Sequence, residues 1–323
     1  MAETAPRKRP RVAIQDPALR PAHRRIALLT VCGPLLGTLA AFALLPITGF
    51  GALEFSLLVT GFALTNLGIE FGFHRNLAHK AFETRPALRY GFAVLGSMAA
   101  EGRVLHWVAD HRRHHAYSDT PDDPHSPHVR TSDGKPIELG LWRGLWHAHV
   151  GHMLSGEITN CTLFARDINR DPVLRRISDH YAAIVLAGLA LPAVIGGIAT
   201  GSWLGALSGL LWGGLVRMFL VHHTTWSVAS LAHRFGRAPF ATDDRSVNNL
   251  PLGLLSFGSA YQNNHHAFPG SAYLGLRWWE FDVTGLLIRL LEAVGLVWDV
   301  RQPAPEQLQA KRVGAVSGER SVA

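Results

Sequence analysis

The residues with the clearest chemical content are histidines. The stretch Asp110-His111-Arg112-Arg113-His114-His115 carries three imidazoles within six positions, and on a helix His111, His114 and His115 fall at i, i+3 and i+4, projecting from one face. Imidazole is neutral near pH 7 and binds Fe, Zn, Cu or Ni. A second group is His74-Arg75-Asn76-Leu77-Ala78-His79. Its five-residue separation sets the two rings roughly 140° apart on a regular helix, which suits two neighbouring metals or a helix end that unwinds. The third is Tyr261-Gln262-Asn263-Asn264-His265-His266, with His233 standing alone before it. Eight imidazoles exceed what one four- to six-coordinate ion takes, so two metal ions are the economical inference.

Carboxylates contribute little to this pattern. No Glu-x-x-His pair of the soluble di-iron kind occurs, and no His-Glu-x-x-His zinc signature. Asp110, Asp119, Asp122 and Asp123 are candidates for orienting ring N–H groups, though each can equally be a solvated loop acid. The two cysteines, Cys32 and Cys161, match no CxxC spacing and imply neither a disulfide framework nor a thiolate site. The metals are therefore expected on nitrogen.

The elements that must position these clusters are apolar. Of 323 residues 48% are hydrophobic and only 17% charged, with a mean hydropathy of +0.12, so spans are sought first. Four are expected, about 26–47, 53–73, 181–199 and 203–221. The first and second turn around Thr48-Gly49-Phe50-Gly51 and the third and fourth around Thr200-Gly201. A shorter apolar piece, Ala87 to Ala100, is expected to lie at the interface or re-enter. The turns contain no Lys or Arg, and the basic residues lie on the other side, so the positive-inside rule places both termini and both polar blocks in the cytoplasm. The net charge of +7 sits beside apolar spans rather than in a polar domain, which argues for a membrane and against nucleic acid. The expected fold is an all-α integral membrane protein: four transmembrane helices in two hairpins and a cytosolic helical cap from 74–179 and 222–300. Residues 1–25 read as a disordered basic tail, 26–300 as the working domain and 301–323 as a polar tail. No cleavable signal peptide is expected.

The motifs HRNLAH, DHRRHHAYSDTPDDPHSP, LWHAHVGHML, NNHHAFP and GLRWWEFDVTGLLIRLLEAVGLVWD together resemble the membrane-bound acyl-CoA Δ9 desaturases, the stearoyl-CoA desaturase family, over about residues 50 to 300. The resemblance implies two irons held by His74, His79, His111, His114, His115, His233, His265 and His266. It implies an acyl chain in a bent tunnel lined in part by Trp107, Thr225 and Trp226; for the two tryptophans the competing reading is an interfacial aromatic belt. The reaction implied is O2-dependent removal of two hydrogens from a long-chain fatty acyl substrate, as acyl-CoA. Electrons would come from a separate donor of the cytochrome b5, ferredoxin or rubredoxin type, since no nucleotide fingerprint, haem motif or iron–sulfur cysteine set is present. A bacterial inner membrane is the expected location.

Two positions depart from the family pattern. Gln262 stands where a third-box histidine is usual, offering an amide oxygen that is a weaker donor to Fe(II). Ala229 stands where an asparagine reaches metal through water. His222, His223 and His106 are possible substitutes, against the reading of each as a hydrogen-bonded structural group. Arg103, Arg112 and Arg113 are candidates for receiving an acidic carrier, against the reading of each as pairing with the membrane surface or with groups behind the metal ligands. Two other functions fit the same residues: a di-iron hydroxylase delivering oxygen to the chain, and a non-catalytic metal-binding membrane protein.

Overall fold

A computed structural model describes residues 12–14, 16–132 and 135–314. In chain order the α-helices are α1 (Arg20–Ala43), α2 (Leu45–Thr48), α3 (Ala52–Leu67), α4 (Pro86–Met98), α5 (Val104–Tyr117), α6 (Leu141–His149), α7 (Cys161–Phe164) and α8 (Arg166–Arg170). They continue as α9 (Pro172–Asp179), α10 (Tyr181–Thr200), α11 (Trp203–Gly209), α12 (Arg217–Leu231), α13 (Leu250–Leu255), α14 (Gln262–Ala267), α15 (Val283–Ala293) and α16 (Pro305–Ala310). Helix α3 runs on as a π-helical stretch, Gly68–Ala78, and a second π stretch, Leu210–Val216, joins α11 to α12.

Among the described residues four continuous helices are long and apolar enough to cross a membrane: Arg20–Ala43, Ala52–Ala78, Tyr181–Thr200 and Trp203–Leu231. Their ends differ from the expected spans in ways that matter. The first begins at Arg20, with Pro21 in its first turn, where proline's fixed φ suits a helix start. Residues 20–25, assigned to a disordered tail, are therefore helical, while 1–11 and 15 lie outside the described residues. It stops at Ala43, before Pro46 opens the separate turn α2. The second and fourth continue past 73 and 221, to Ala78 and Leu231, so His74, Thr225 and Trp226 ride on extensions of the apolar helices.

Packing around the π stretch fixes the neighbouring elements. A Cβ at Gly68 would run into the backbone of Leu95 and Gly96, and one at Gly96 into the carbonyl of Gly68. The two backbones thus touch, and the apolar piece expected over 87–100 forms helix α4, which ends at Met98 and lies along the π stretch and α10. Gly201 closes α10 in the left-handed conformation (φ 62°) that glycine adopts without strain, and the chain turns straight into α11.

Buried charges lock this frame. Arg75, on the π stretch, makes a two-pronged bond to Asp282 (2.9 and 2.8 Å) and donates to Ala272 O (2.8 Å), a planar fork matched to a carboxylate. Arg112 does the same with Asp167 (2.6 and 3.0 Å) while donating to the carbonyls of Leu77 and Ala78. Arg113 is buried and bonds Asp122 O, Thr159 and Glu157. Both arginines are thus committed to holding the chain together rather than to receiving a carrier. Residues 301–314, expected as a polar tail, are also engaged: Lys311 Nζ donates to Ala267 O (2.7 Å) and Val313 N to Pro239 O (3.0 Å). Residues 315–323 lie outside the described residues.

Candidate metal centre

The π stretch explains the first histidine pair. In a π turn the N–H of one residue bonds the carbonyl five before it, and His79 N bonds His74 O at 3.0 Å. Two rings that a regular helix would splay apart come to 5.0 Å between centroids. Helix α5 presents His111, His114 and His115 from one face, and α14 presents His265 and His266.

The eight histidines sort into two groups. His74, His79, His111, His115 and His265 have ligand nitrogens within 4.8 Å of one another, as do His114, His233 and His266. In the first group His74 Nε2 lies 3.0 Å from His265 Nε2, His265 Nε2 2.8 Å from His115 Nε2, and His79 Nε2 2.6 Å from His111 Nε2. Lone pairs at such separations repel unless a cation lies between them. A metal with bonds of ~2.1 Å sets adjacent ligand nitrogens about 3 Å apart, so the donor set fits an ion. In the second group His114 Nε2 is 3.3 Å from His266 Nε2, and His233 Nε2 is buried with no hydrogen-bond partner among the described residues.

Carboxylates fix the outward nitrogens. Glu70 Oε2 is 3.0 Å from His74 Nδ1. Each ring of the second group has an aspartate on Nδ1: Asp123 on His114 (3.0 Å), Asp119 on His233 (3.2 Å) and Asp244 on His266 (2.5 Å). Such partners set the tautomer with Nδ1 protonated and leave Nε2 free for metal. Of the four sequence candidates, then, Asp119 and Asp123 lie against rings. Asp122 offers only its backbone carbonyl, to Arg113, and Asp110 bonds Thr159 instead of an imidazole. Glu70 and Asp244 were not anticipated as ring partners. The four-residue step from Glu70 to His74 was the available signal, whereas nothing in the spacing of Asp244 points to His266.

Burial and mutual repulsion hold His79, His111, His115 and His265 well below the usual histidine range. Burial likewise brings His266 down to about 4, against the pull of Asp244. For His114 burial is outweighed by Asp123, and its value rises. Asp123 and Asp119 resist the upward push of burial through His114 and His233 respectively and stay below the carboxylate range.

The remaining candidates fall around the rings. Trp107 stacks on His111 (5.1 Å, 15° between planes). Trp226 is buried and its Nε1 donates to Glu101 (3.2 Å), so it belongs to the interior rather than to an exposed belt. Thr225 bonds Val221 O one turn back (3.0 Å). Gln262 is buried at the start of α14, its amide nitrogen given to Ser259 O (2.7 Å). Ala229 lies one turn before His233 at the end of α12. His222, His223 and His106 lie outside both groups: His222 Nε2 bonds Ala99 O (2.8 Å), and His223 Nδ1 is 3.0 Å from His149 Nε2. One unanticipated neighbour is His125, stacked on His114 at 4.5 Å and converging with His114 and Asp123.

Comparison with known proteins agrees with this arrangement. The chain is 45% identical over 280 residues, 87% of each chain, to a hex-5-enoyl-[acyl-carrier protein] acetylenase of Moorena producens (strain JHB). It is 36% identical over 238 residues, 73% of this chain and 79% of the relative, to an sn-1 stearoyl-lipid 9-desaturase of Anabaena variabilis. It is 35% identical over 259 residues, 79% of this chain and 66% of the relative, to an icosanoyl-CoA 5-desaturase of Limnanthes douglasii. Residues 50–284, which hold every histidine of both groups, match the model of the fatty acid desaturase family, and the chain belongs to that family.

Proposed function

We propose that this protein is a membrane-embedded, O2-dependent desaturase that removes two hydrogens from adjacent carbons of a fatty acyl chain at a two-iron centre. The observation that carries the reading is the gathering of eight histidines into a group of five and a group of three, their Nε2 atoms turned to common points. One iron is assigned to His74, His79, His111, His115 and His265. The other is assigned to His114, His233 and His266, with the Gln262 side-chain oxygen as a further donor. Iron supplies the activation of O2 needed to attack an unactivated C–H bond; the chain's residues bind, orient and exclude water. Trp107, stacked on His111, and Trp226 and Thr225 on α12 are assigned to the acyl passage. An alkyl chain offers no polar handle at the reacting carbons, so depth in that passage selects the position. The two hairpins, the cytosolic cap of 74–179 and 222–300, and a bacterial inner membrane belong to the same proposal, as does a separate one-electron donor.

Relatives of comparable coverage are named for acyl-carrier-protein, lipid and CoA substrates. The 45% relative favours a second reading in which a short carrier-protein-linked alkene is dehydrogenated to an alkyne, the same chemistry one oxidation level on. One experiment separates these readings: purified protein, supplied with iron, O2 and a reduced ferredoxin, is given acyl-CoA, acyl-carrier-protein or phospholipid substrates. Products are located by gas chromatography–mass spectrometry against the His111→Ala variant. A new double or triple bond made only by the intact chain supports desaturation and names the carrier. An alcohol supports hydroxylation, and no product together with metal still bound supports a non-catalytic role.

A further inference from the structure

A cavity of about 520 Å³ opens beside α13, with Arg237, Arg277, Asn248, Asn249, Leu250 and Trp279 in its wall and no histidine of either group among its lining residues. Its chemistry is basic. Among the described residues neither Arg237 nor Arg277 gives its guanidinium to a hydrogen bond or ion pair; Arg277 lies over the ring of Trp279 at 5.4 Å. The acid in the wall, Glu280, is already used. Its Oε2 accepts from Asn264 Nδ2 (2.7 Å) and the backbone of Leu276 and Arg277, and its Oε1 from Asn248 Nδ2 (3.2 Å). Two guanidinium groups without a carboxylate partner therefore face one opening, whose wall, Glu280 included, carries a net positive charge.

The rim of the cavity is apolar and packs against a helix long enough to span a membrane. Helix α13 rests on the second membrane-length helix: Asn66 Nδ2 reaches Leu255 O (3.5 Å), and Phe257 meets Phe62 edge to face at 5.8 Å. Both contacts fall two to three turns before His74, inside the apolar part of that helix. On the outer side of α13, Leu254 is 54% and Leu255 59% exposed, and beyond the cavity Trp278 is 91% exposed. Helix α15 adds Leu286, Leu290 and Val294, four residues apart on one face and all exposed. Exposed apolar side chains of this kind beside a candidate span fit contact with lipid. Tryptophans beside arginines are the side chains found at headgroup depth.

We propose that this cavity holds the phosphodiester headgroup of an anionic phospholipid. Arg237 and Arg277 meet the phosphate, Trp279 sits at headgroup level, and the acyl tails lie along Leu250, Leu254 and Leu255. The bound lipid touches the scaffold of the third histidine group, because Asn248 Oδ1 accepts from Asn264 N (3.1 Å) on α14.

The test uses the full chain in nanodiscs of equal parts phosphatidylglycerol and phosphatidylcholine, with retained lipid read by native mass spectrometry. Phosphatidylglycerol is expected on the protein in roughly tenfold excess or more, as two basic residues at a charged surface provide. The preference is expected to vanish in Arg237→Gln/Arg277→Gln and to persist in Arg166→Gln/Arg170→Gln on another basic surface. A phosphatidylglycerol carrying a headgroup diazirine, used on the unaltered chain, is expected to label peptides within 235–251 and 277–281, so the test does not depend on the variants folding. Labels elsewhere, a preference that survives the first double substitution, or release as a lipid-free dimer that buries α13 would each overturn the proposal.

Discussion

His233 and Asp119 divide one imidazole between two tasks: Nδ1 lies 3.2 Å from the carboxylate, and Nε2 is buried without a partner. A buried ring nitrogen left so costs about 1–3 kcal/mol, a cost removed when a metal takes the lone pair. Asp119 is itself pinned by Arg245 N and Ser126 Oγ, so ring and carboxylate are held as a unit. Asp119→Asn keeps the size and removes the charge. It is expected to weaken the three-histidine site about 10- to 100-fold, the usual cost of losing such a partner, and to leave the five-histidine site filled. Iron content per chain during chelator titration checks this: one of two equivalents should leave early, and simultaneous loss of both would count against separate sites.

Asp244 tests the same logic from a loop. Its bond to His266 is the shortest of the three aspartate contacts, 2.5 Å, and its own value is held far below the carboxylate range, the hydrogen bond from His266 overcoming burial. Asp244→Ala is expected to release the same equivalent of metal as Asp119→Asn. Because both act on one ion, the double variant should lose little more than either alone. Strict additivity in chelator midpoints would show that the two histidines serve different ions.

Arg75 and Asp282 are nearly inaccessible, and their two-pronged bond joins the π stretch that carries His74 to the loop before α15. Removing one member of a buried pair strands the other charge at a cost of about 3–5 kcal/mol. Arg75→Met is therefore expected to destabilise strongly, and Arg75→Met/Asp282→Leu to recover much of the loss. Unfolding of detergent-solubilised protein across that cycle measures it; a double variant as unstable as the singles would indicate that the arginine acts through its carbonyl bonds instead.

The histidine boxes and the four apolar runs were legible because each rests on local spacing. Three imidazoles on one helix face and about twenty uncharged residues need no tertiary information. What escaped was set by tertiary structure. The π turns that unite His74 with His79 belong to a stretch that begins where the backbone of Gly68 meets Gly96, and neither the π turns nor that contact is encoded in periodicity. Asp244, on a loop, meets His266 only in the folded chain, and Asp167, on α8, meets Arg112 in the same way, which is why spacing left Arg112 open between a carrier contact and a pairing role and the structure shows a brace. Asp110 shows the converse, since it adjoins His111 in sequence yet bonds Thr159.

The metal-free protein should lose stability in mild acid. Burial, then neighbouring imidazoles, hold His79, His111, His115 and His265 well below the ordinary histidine value near 6.5. Below about pH 6.5 the unfolded chain therefore binds more protons than the folded one, and stability falls as pH falls. His114, raised by Asp123 against burial, and the carboxyls of Glu101 and Asp110, raised by burial, oppose this, three groups against these four rings and His266. The apoprotein Tm is expected to rise from pH 5 to about 6.5 and then level off, and a Tm that rises on acidification would refute the assignment of neutral buried rings. With metal bound the same change should be steeper, because protons and metal compete for the nitrogens.

Gln262 offers the most direct test of the three-histidine site. It is buried at the first position of α14, three residues before His265 and four before His266, and its amide nitrogen is committed to Ser259 O. An imidazole there would bring a better donor to a site with only three ring nitrogens. The ring is compact and must replace one buried hydrogen bond, a loss of about 1 kcal/mol. Gln262→His is therefore expected to slow release of the more labile metal equivalent to a chelator by at least severalfold, with a small change in Tm. Release at the wild-type rate in a folded variant would place residue 262 outside the coordination sphere, and faster release would show that the amide oxygen already ligates and that the ring misplaces it.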